Sequence, residues 1–397
     1  MTATDTIALA KPEDVGVSRE RLGRMTEHFA QDIERGRIPG IVTLVARHGK
    51  VIHFKAQGRR APDAADLMEL DTIFRIYSMT KPIVSVALMM LAEEGRLLLS
   101  DPIEAYVPEF RNVQVARERE GGYDLVAPSR PITIQDLLRH TSGLTYEWIA
   151  DGPVEDLYVS SKVGRRSLSN AEQSPEIAKL PLVADPGTVW SYGRSTDVIG
   201  RVVEVLTGKP LGAALRERVF EPLGMMETGF VVPPDYHGRL AEAFPVDPDT
   251  GEEVQLLDVR ADVKAENAGG GLASTASDYA RFMHMLSAGG TFDGHRLLSP
   301  RTLALMTADH LGPAVRIRGE LLPAGYGFGL GFMVRRHAGI ATFPGSPGDY
   351  GWEGLGGTSF WIDPAEGLAA VLMIQAPGQR MHYRRMFRQL VYAALVG

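Results

Sequence analysis

Ser78 and Lys81 stand three residues apart in the stretch Ile76-Tyr77-Ser78-Met79-Thr80-Lys81-Pro82, and Ser-x-x-Lys occurs only there in the chain. A serine hydroxyl is a weak nucleophile until a neighbouring base takes its proton, and a lysine is such a base once its ammonium form is destabilised. Pro82 fits only the first turn of a helix, so Ser78 to Lys81 form that turn or the tight turn before it, and residues three apart share a face. A serine at a helix start also has a plainer use, as an N-cap satisfying an orphan backbone N–H. A capping box, however, wants Glu or Gln three residues later; Lys81 instead puts a cation at the positive end of the helix dipole, at a local cost in stability. That dipole, with burial among Tyr77, Met79 and Ile83, disfavours the ammonium and prepares a neutral amine.

Other machinery is missing from the sequence. There is no Gly-x-Ser-x-Gly elbow, no Gly-x-x-x-x-Gly-Lys-Ser/Thr phosphate loop and no His-Glu-x-x-His zinc helix. Cys is absent, which removes disulfides, thiolate nucleophiles and thiolate-bound zinc together and fits a reducing compartment. The balance of 42 basic against 49 acidic residues, without a long basic run, excludes a nucleic-acid footprint. No stretch reads as a secretory leader or an apolar membrane span, so a cytoplasmic protein acting on a small molecule is expected, with no metal and no organic cofactor.

The elements that must hold this pair are legible as periodicities. The spacing predicts a helix near Ser18 to Arg35, then two β-rich runs meeting at His48-Gly49-Lys50 as a hairpin. Pro82 to Glu94 repeats apolar residues at three and four before Gly95, and Val198 to Leu206 does so before Gly208. Ser100 to Pro186 is polar and interrupted by Pro and Gly, with short helical pieces and few strand patterns. Near the C-terminus two strand runs flank Asp363-Pro364-Ala365-Glu366-Gly367, and a helical pattern closes the chain. The expected fold is α+β: an antiparallel sheet flanked by helices, built from residues 1–98 and 240–397, with 99–239 a mostly helical insertion.

Four segments in this order, "SMTK", "WSYGRSTDVIGRVVEVLTGKPL", "NAGGGLASTASDYARFM" and "WEGLGGTSFWIDP", resemble the serine β-lactamase and penicillin-binding-protein superfamily, specifically the family VIII carboxylesterases close to class C β-lactamases. The resemblance implies a β-lactamase-like fold and an acyl-enzyme on Ser78, with Lys81 and Tyr192 sharing the proton transfers, either being the formal base. It also implies an oxyanion hole from the backbone N–H groups of Ser78 and Leu355. Two positions depart from the β-lactamase pattern. Arg194 stands where the second motif has Asn, and Trp352-Glu353-Gly354 replaces Lys-Thr-Gly. A Trp in place of the lysine removes a cation for substrate carboxylates and adds an aromatic wall, so acyl groups without a carboxylate, on short-chain esters, are the expected substrates. Gly354 is expected to let substrate approach the strand closely.

The alternatives on the same site are β-lactam, D-amino-acid peptide or amide hydrolysis, and acyl transfer; from a different class, a penicillin-binding sensor that acylates without turnover. Tyr123, Tyr146 and Trp148, in the irregular insertion, are candidates to line an acyl pocket. His140 receives no catalytic role, and Gly269-Gly270-Gly271 is read as a structural turn.

Overall fold

Alternation at residues 40–58 produces the hairpin that founds the main sheet. In the computed structural model, which describes residues 7–62, 65–161, 163–261 and 263–397, β1 (Gly40–Arg47) and β2 (Lys50–Gly58) pair antiparallel. His48 and Gly49 between them both take positive φ, at 49° and 75°, as a two-residue turn matching the strand twist requires.

Five more strands come from the far end of the chain: β3 (Tyr326–Phe328), β4 (Met333–Arg335), β5 (Tyr350–Glu353), β6 (Ser359–Asp363) and β7 (Leu368–Ile374). The order is β3-β4-β5-β6-β7-β1-β2, antiparallel throughout. β7 closes onto β1 with Ile41 opposite Ile374 and Arg47 opposite Leu368, so the sheet joins both ends of the chain.

Each face of the sheet has its own core. Ile41, Val45, Ala370, Leu372 and Trp361 meet α1 (Arg19–Glu34) and α5 (Arg380–Ala393) through Leu22, Met25, Phe29, Phe387 and Val391. Phe29 is fully buried, and truncating such a side chain costs about 3–5 kcal/mol. On the other face Val42, Leu44, Phe360, Val371 and Met373 join the larger core, with α2 (Thr80–Glu93), α3 (Ser195–Thr207) and α4 (Ala276–Ser287). Every α2 residue from Thr80 to Met89 is buried, which a helix apolar on nearly all sides demands.

The segment between α2 and α3 holds short helices at Ile134–Leu138, Pro153–Ser160 and Asn170–Ala178. It also holds a hairpin, Val115–Arg119 with Gly122–Val126, that periodicity missed. Its outer positions are charged and its apolar ones few, so no alternation stood out. Among the described residues no helix is long and apolar enough to cross a membrane.

Candidate active site

Ser78 lies in a 3-10 turn, Tyr77–Met79, between the short strand Ile73–Arg75 and α2. The N-cap of α2 is Met79, with no side-chain cap hydrogen bond, so Ser78 is not the cap that local statistics favour. The turn closes through the Met79 N–H to the Ile76 carbonyl at 3.0 Å, leaving the serine hydroxyl to other partners. Tyr77 has φ of 45°, a left-handed conformation costing about 1–3 kcal/mol in a residue with a Cβ. Its phenol helps to hold it there by accepting from the Leu257 N–H at 2.9 Å.

Lys81 is 1% exposed. Its Nζ lies 3.3 Å from Ser78 Oγ, 3.2 Å from the Tyr146 hydroxyl and 2.5 Å from the Gly269 carbonyl. Burial pulls its pKa from the ordinary 10.5 to about 7, with the Asp197 carboxylate opposing and the Arg194 guanidinium assisting. The groups that surround the amine are thus Tyr146, Tyr192 and the Gly269 carbonyl, rather than the sequence neighbours Tyr77, Met79 and Ile83.

Gly269 is fixed by its own N–H, which donates to Asp197 Oδ1 at 2.8 Å. A Cβ there would sit 2.6 Å from the Tyr146 hydroxyl, so only glycine brings this carbonyl onto the amine. The strand Ala273–Thr275, paired with Ile73–Arg75, carries the glycine turn beside Ser78.

Tyr192 follows the strand Val189–Ser191 and is 2% exposed. Burial pushes its phenol pKa well up, against the pull of hydrogen bonds with Ser78 and Trp352. Lys81 Nζ sits over the Tyr192 ring, 4.4 Å from its centroid. Desolvation thus dominates the phenol, and the amine over its ring loses its charge readily. His140 packs 4.8 Å from the Tyr192 ring centroid; burial, and then Lys81, hold its imidazole neutral.

Arg194 is 6% exposed and spans Glu147 at 3.1 Å and Asp197 at 3.6 Å while covering the Tyr146 ring. Its position makes it a strut between the Glu147 segment and the first turn of α3. Gly354 follows β5 and lies against the turn that carries Ser78: a Cβ would lie 2.4 Å from the Ile76 carbonyl oxygen and 2.3 Å from Thr358 Oγ1. The protein's own backbone thus already requires glycine there, and Gly354 also lines the cavity described below. Leu355 follows, 49% exposed at the mouth. Arg384 of α5 binds the Glu353 carboxylate at 2.7 Å and donates to the carbonyls of Gly354, Gly357 and Thr358.

One cavity of about 410 Å³ is lined among others by Ser78, Tyr146, Trp148, Tyr192, Trp352, Glu353 and Leu355. Trp148 stacks on Tyr146, rings 5.3 Å apart and 11° from parallel. Tyr123 is elsewhere: it belongs to the missed hairpin and packs on the satellite core of Ala116, Val154, Tyr158 and Leu180. Periodicity and motif order did not single out Asp197 or Arg384. The first looks like an ordinary acidic residue in a helix's first turn, and the second like a solvated charge on a basic helix.

The Beta-lactamase family model matches residues 25–393. Protein Rv1367c of Mycobacterium tuberculosis is 38% identical, over 86% of this chain and 87% of its own. Esterase EstB of Burkholderia gladioli is 34% identical, over 88% of this chain and 89% of its own. Among solved structures, EstCE1, described as a hydrolase with promiscuous acyltransferase activity, superposes with a TM-score of 0.80 at 29% identity, covering 94% of this chain and 99% of its own.

Proposed function

The chain belongs to the beta-lactamase family, and we propose that within it the protein is a serine hydrolase cleaving short-chain carboxylic esters through an acyl-enzyme on Ser78. One observation carries this reading. A neutral amine has two N–H groups and a lone pair. At Lys81 the Tyr146 hydroxyl and the Gly269 carbonyl take the two N–H groups, which leaves the lone pair for the Ser78 hydroxyl at 3.3 Å. With its pKa near 7 the amine is substantially neutral at neutral pH.

Ser78 attacks the ester carbonyl as Lys81 takes the hydroxyl proton. The oxyanion is held by the backbone N–H groups of Ser78 and Leu355, each such donor being worth about 2.7–4 kcal/mol of transition-state stabilisation. The Tyr192 phenol, kept protonated by burial, gives its proton to the departing alcohol. Lys81 is then an ammonium beside a transient tyrosinate, each stabilising the other. In the second half-reaction water attacks the acyl group and loses its proton to Tyr192, while Lys81 returns its proton to the leaving Ser78 oxygen. Protons balance over the cycle, and no step calls on a metal or organic cofactor.

Similarity to EstB and EstCE1 supports ester over amide chemistry. Similarity to EstCE1 also favours one second reading, in which a small alcohol replaces water and the acyl group is transferred. Steady-state hydrolysis of an aryl butyrate and of a chromogenic cephalosporin, by the wild type and Ser78→Ala, tests the proposal. The expected result is ester turnover abolished by Ser78→Ala and exceeding cephalosporin turnover. Ester turnover surviving the substitution overturns the assignment, dominant cephalosporin turnover indicates a lactamase, and a single stoichiometric burst indicates the sensor.

A further inference from the structure

We propose a second site, remote from Ser78: a zinc-binding site formed by His28, Asp32 and His382 where α1 packs on α5. His28 and Asp32 lie one turn apart on α1, and His382 is in the first turn of α5. One ligand atom from each of the three lies within 4.8 Å of the other two. His28 Nε2 is 3.7 Å from Asp32 Oδ2; a tetrahedral zinc with bonds of about 2.1 Å sets neighbouring donors about 3.4 Å apart, a side-chain adjustment away.

Two further observations point to an ion. His28 Nε2 is a buried nitrogen with no hydrogen-bond partner among the described residues, an arrangement that costs stability unless something fills it. Asp32 is 1% exposed, and its two oxygens face different ways. Oδ1 is approached by the exposed Arg35 and Arg37 at 3.7 and 3.8 Å. Oδ2 faces His28 and accepts from the Tyr383 hydroxyl at 3.1 Å, the kind of outer contact that orients a metal-bound carboxylate. The arginines therefore leave the ligating oxygen open, although their charge tempers affinity.

Two imidazoles and a carboxylate suit zinc, with the fourth position left to water. The ion would tie the first helix to the last. His382 is two residues from Arg384, so the tie reaches the helix that holds the Gly354–Thr358 loop.

Chelator-treated protein titrated with zinc, by calorimetry and by thermal unfolding, tests the site in the wild type, His28→Ala and His382→Asn; both imidazoles reach solvent, so the variants are expected to fold. The expected result is one zinc per chain, a dissociation constant raised at least tenfold in each variant, and a zinc-dependent rise in melting temperature confined to the wild type. No saturable binding at one per chain, or a stabilisation retained in both variants, overturns the proposal.

Discussion

The indole N–H of Trp352 donates to the Tyr192 hydroxyl at 3.1 Å. The residue standing where the family's lactamases carry a lysine is thus more than an apolar wall. It orients the phenol proposed to protonate the leaving alcohol, and it spends its only donor doing so.

Ester hydrolysis should rise with pH through an apparent pKa of about 7, the value to which burial lowers Lys81, and reach a plateau, since the Tyr192 phenol titrates far above. A pH profile of kcat/KM checks this. Lys81→Met should lose about 10²–10⁴ of the rate.

The same substitution should stabilise the fold. An unfolded lysine stays protonated up to about 10.5, whereas the native amine sheds its proton near 7. The buried ammonium therefore costs most below pH 7, and the cost fades as pH rises toward 10.5. Denaturant melts should show Lys81→Met more stable than the wild type at pH 6, with the gap narrowing by pH 9. An equal gap at both values would contradict the assigned shift.

Arg384→Gln should lower kcat by about 10²-fold, comparable to losing one oxyanion donor, because it frees the loop carrying the Leu355 N–H. As a positioning residue, Arg384 should leave the pH profile near 7 in place. A displaced profile would mean that it acts through Lys81 instead.

Gly354→Ala should cost about 1–3 kcal/mol of stability together with most of the activity. Its Cβ can be housed only by moving β5 away from the Ile76 carbonyl. Thermal unfolding beside aryl-ester kinetics separates the two losses, and a variant with both unchanged would refute the contact.

Arg166 and Arg380 also line the cavity, and neither forms an ion pair with a carboxylate among the described residues. Cations thus remain near the cavity although Trp352 replaces the lysine, which sets the expectation of acyl groups without a carboxylate against a direct test. An aryl hemiglutarate should be preferred over the neutral aryl valerate by about tenfold, worth about 1.4 kcal/mol, with the preference falling at high salt. Arg166→Gln and Arg380→Gln should reduce the preference without abolishing valerate turnover.

The pairing of Ser78 with Lys81 and the order of the motifs were legible because they depend on local chemistry: a turn, a proline and two helices with clear periods. What surrounds the amine was not. Gly269 reaches Lys81 through a strand pairing made across nearly two hundred residues, and the direction of the Tyr192 shift depends on burial that no spacing encodes. Tyr123 and Tyr146 looked alike in sequence. One packs on a satellite core, and the other hydrogen-bonds Lys81.

The pairing of β1 with β7 means that Ser78 is made early in synthesis and completed late. Until the last strands and α5 emerge from the ribosome, Gly354 cannot meet the Ile76 carbonyl beside Ser78, and the proposed Leu355 donor is missing. On the proposed mechanism the nascent chain therefore carries Ser78 without its full machinery, and hydrolysis is expected only with the closing of the sheet, a long-range and hence slow contact.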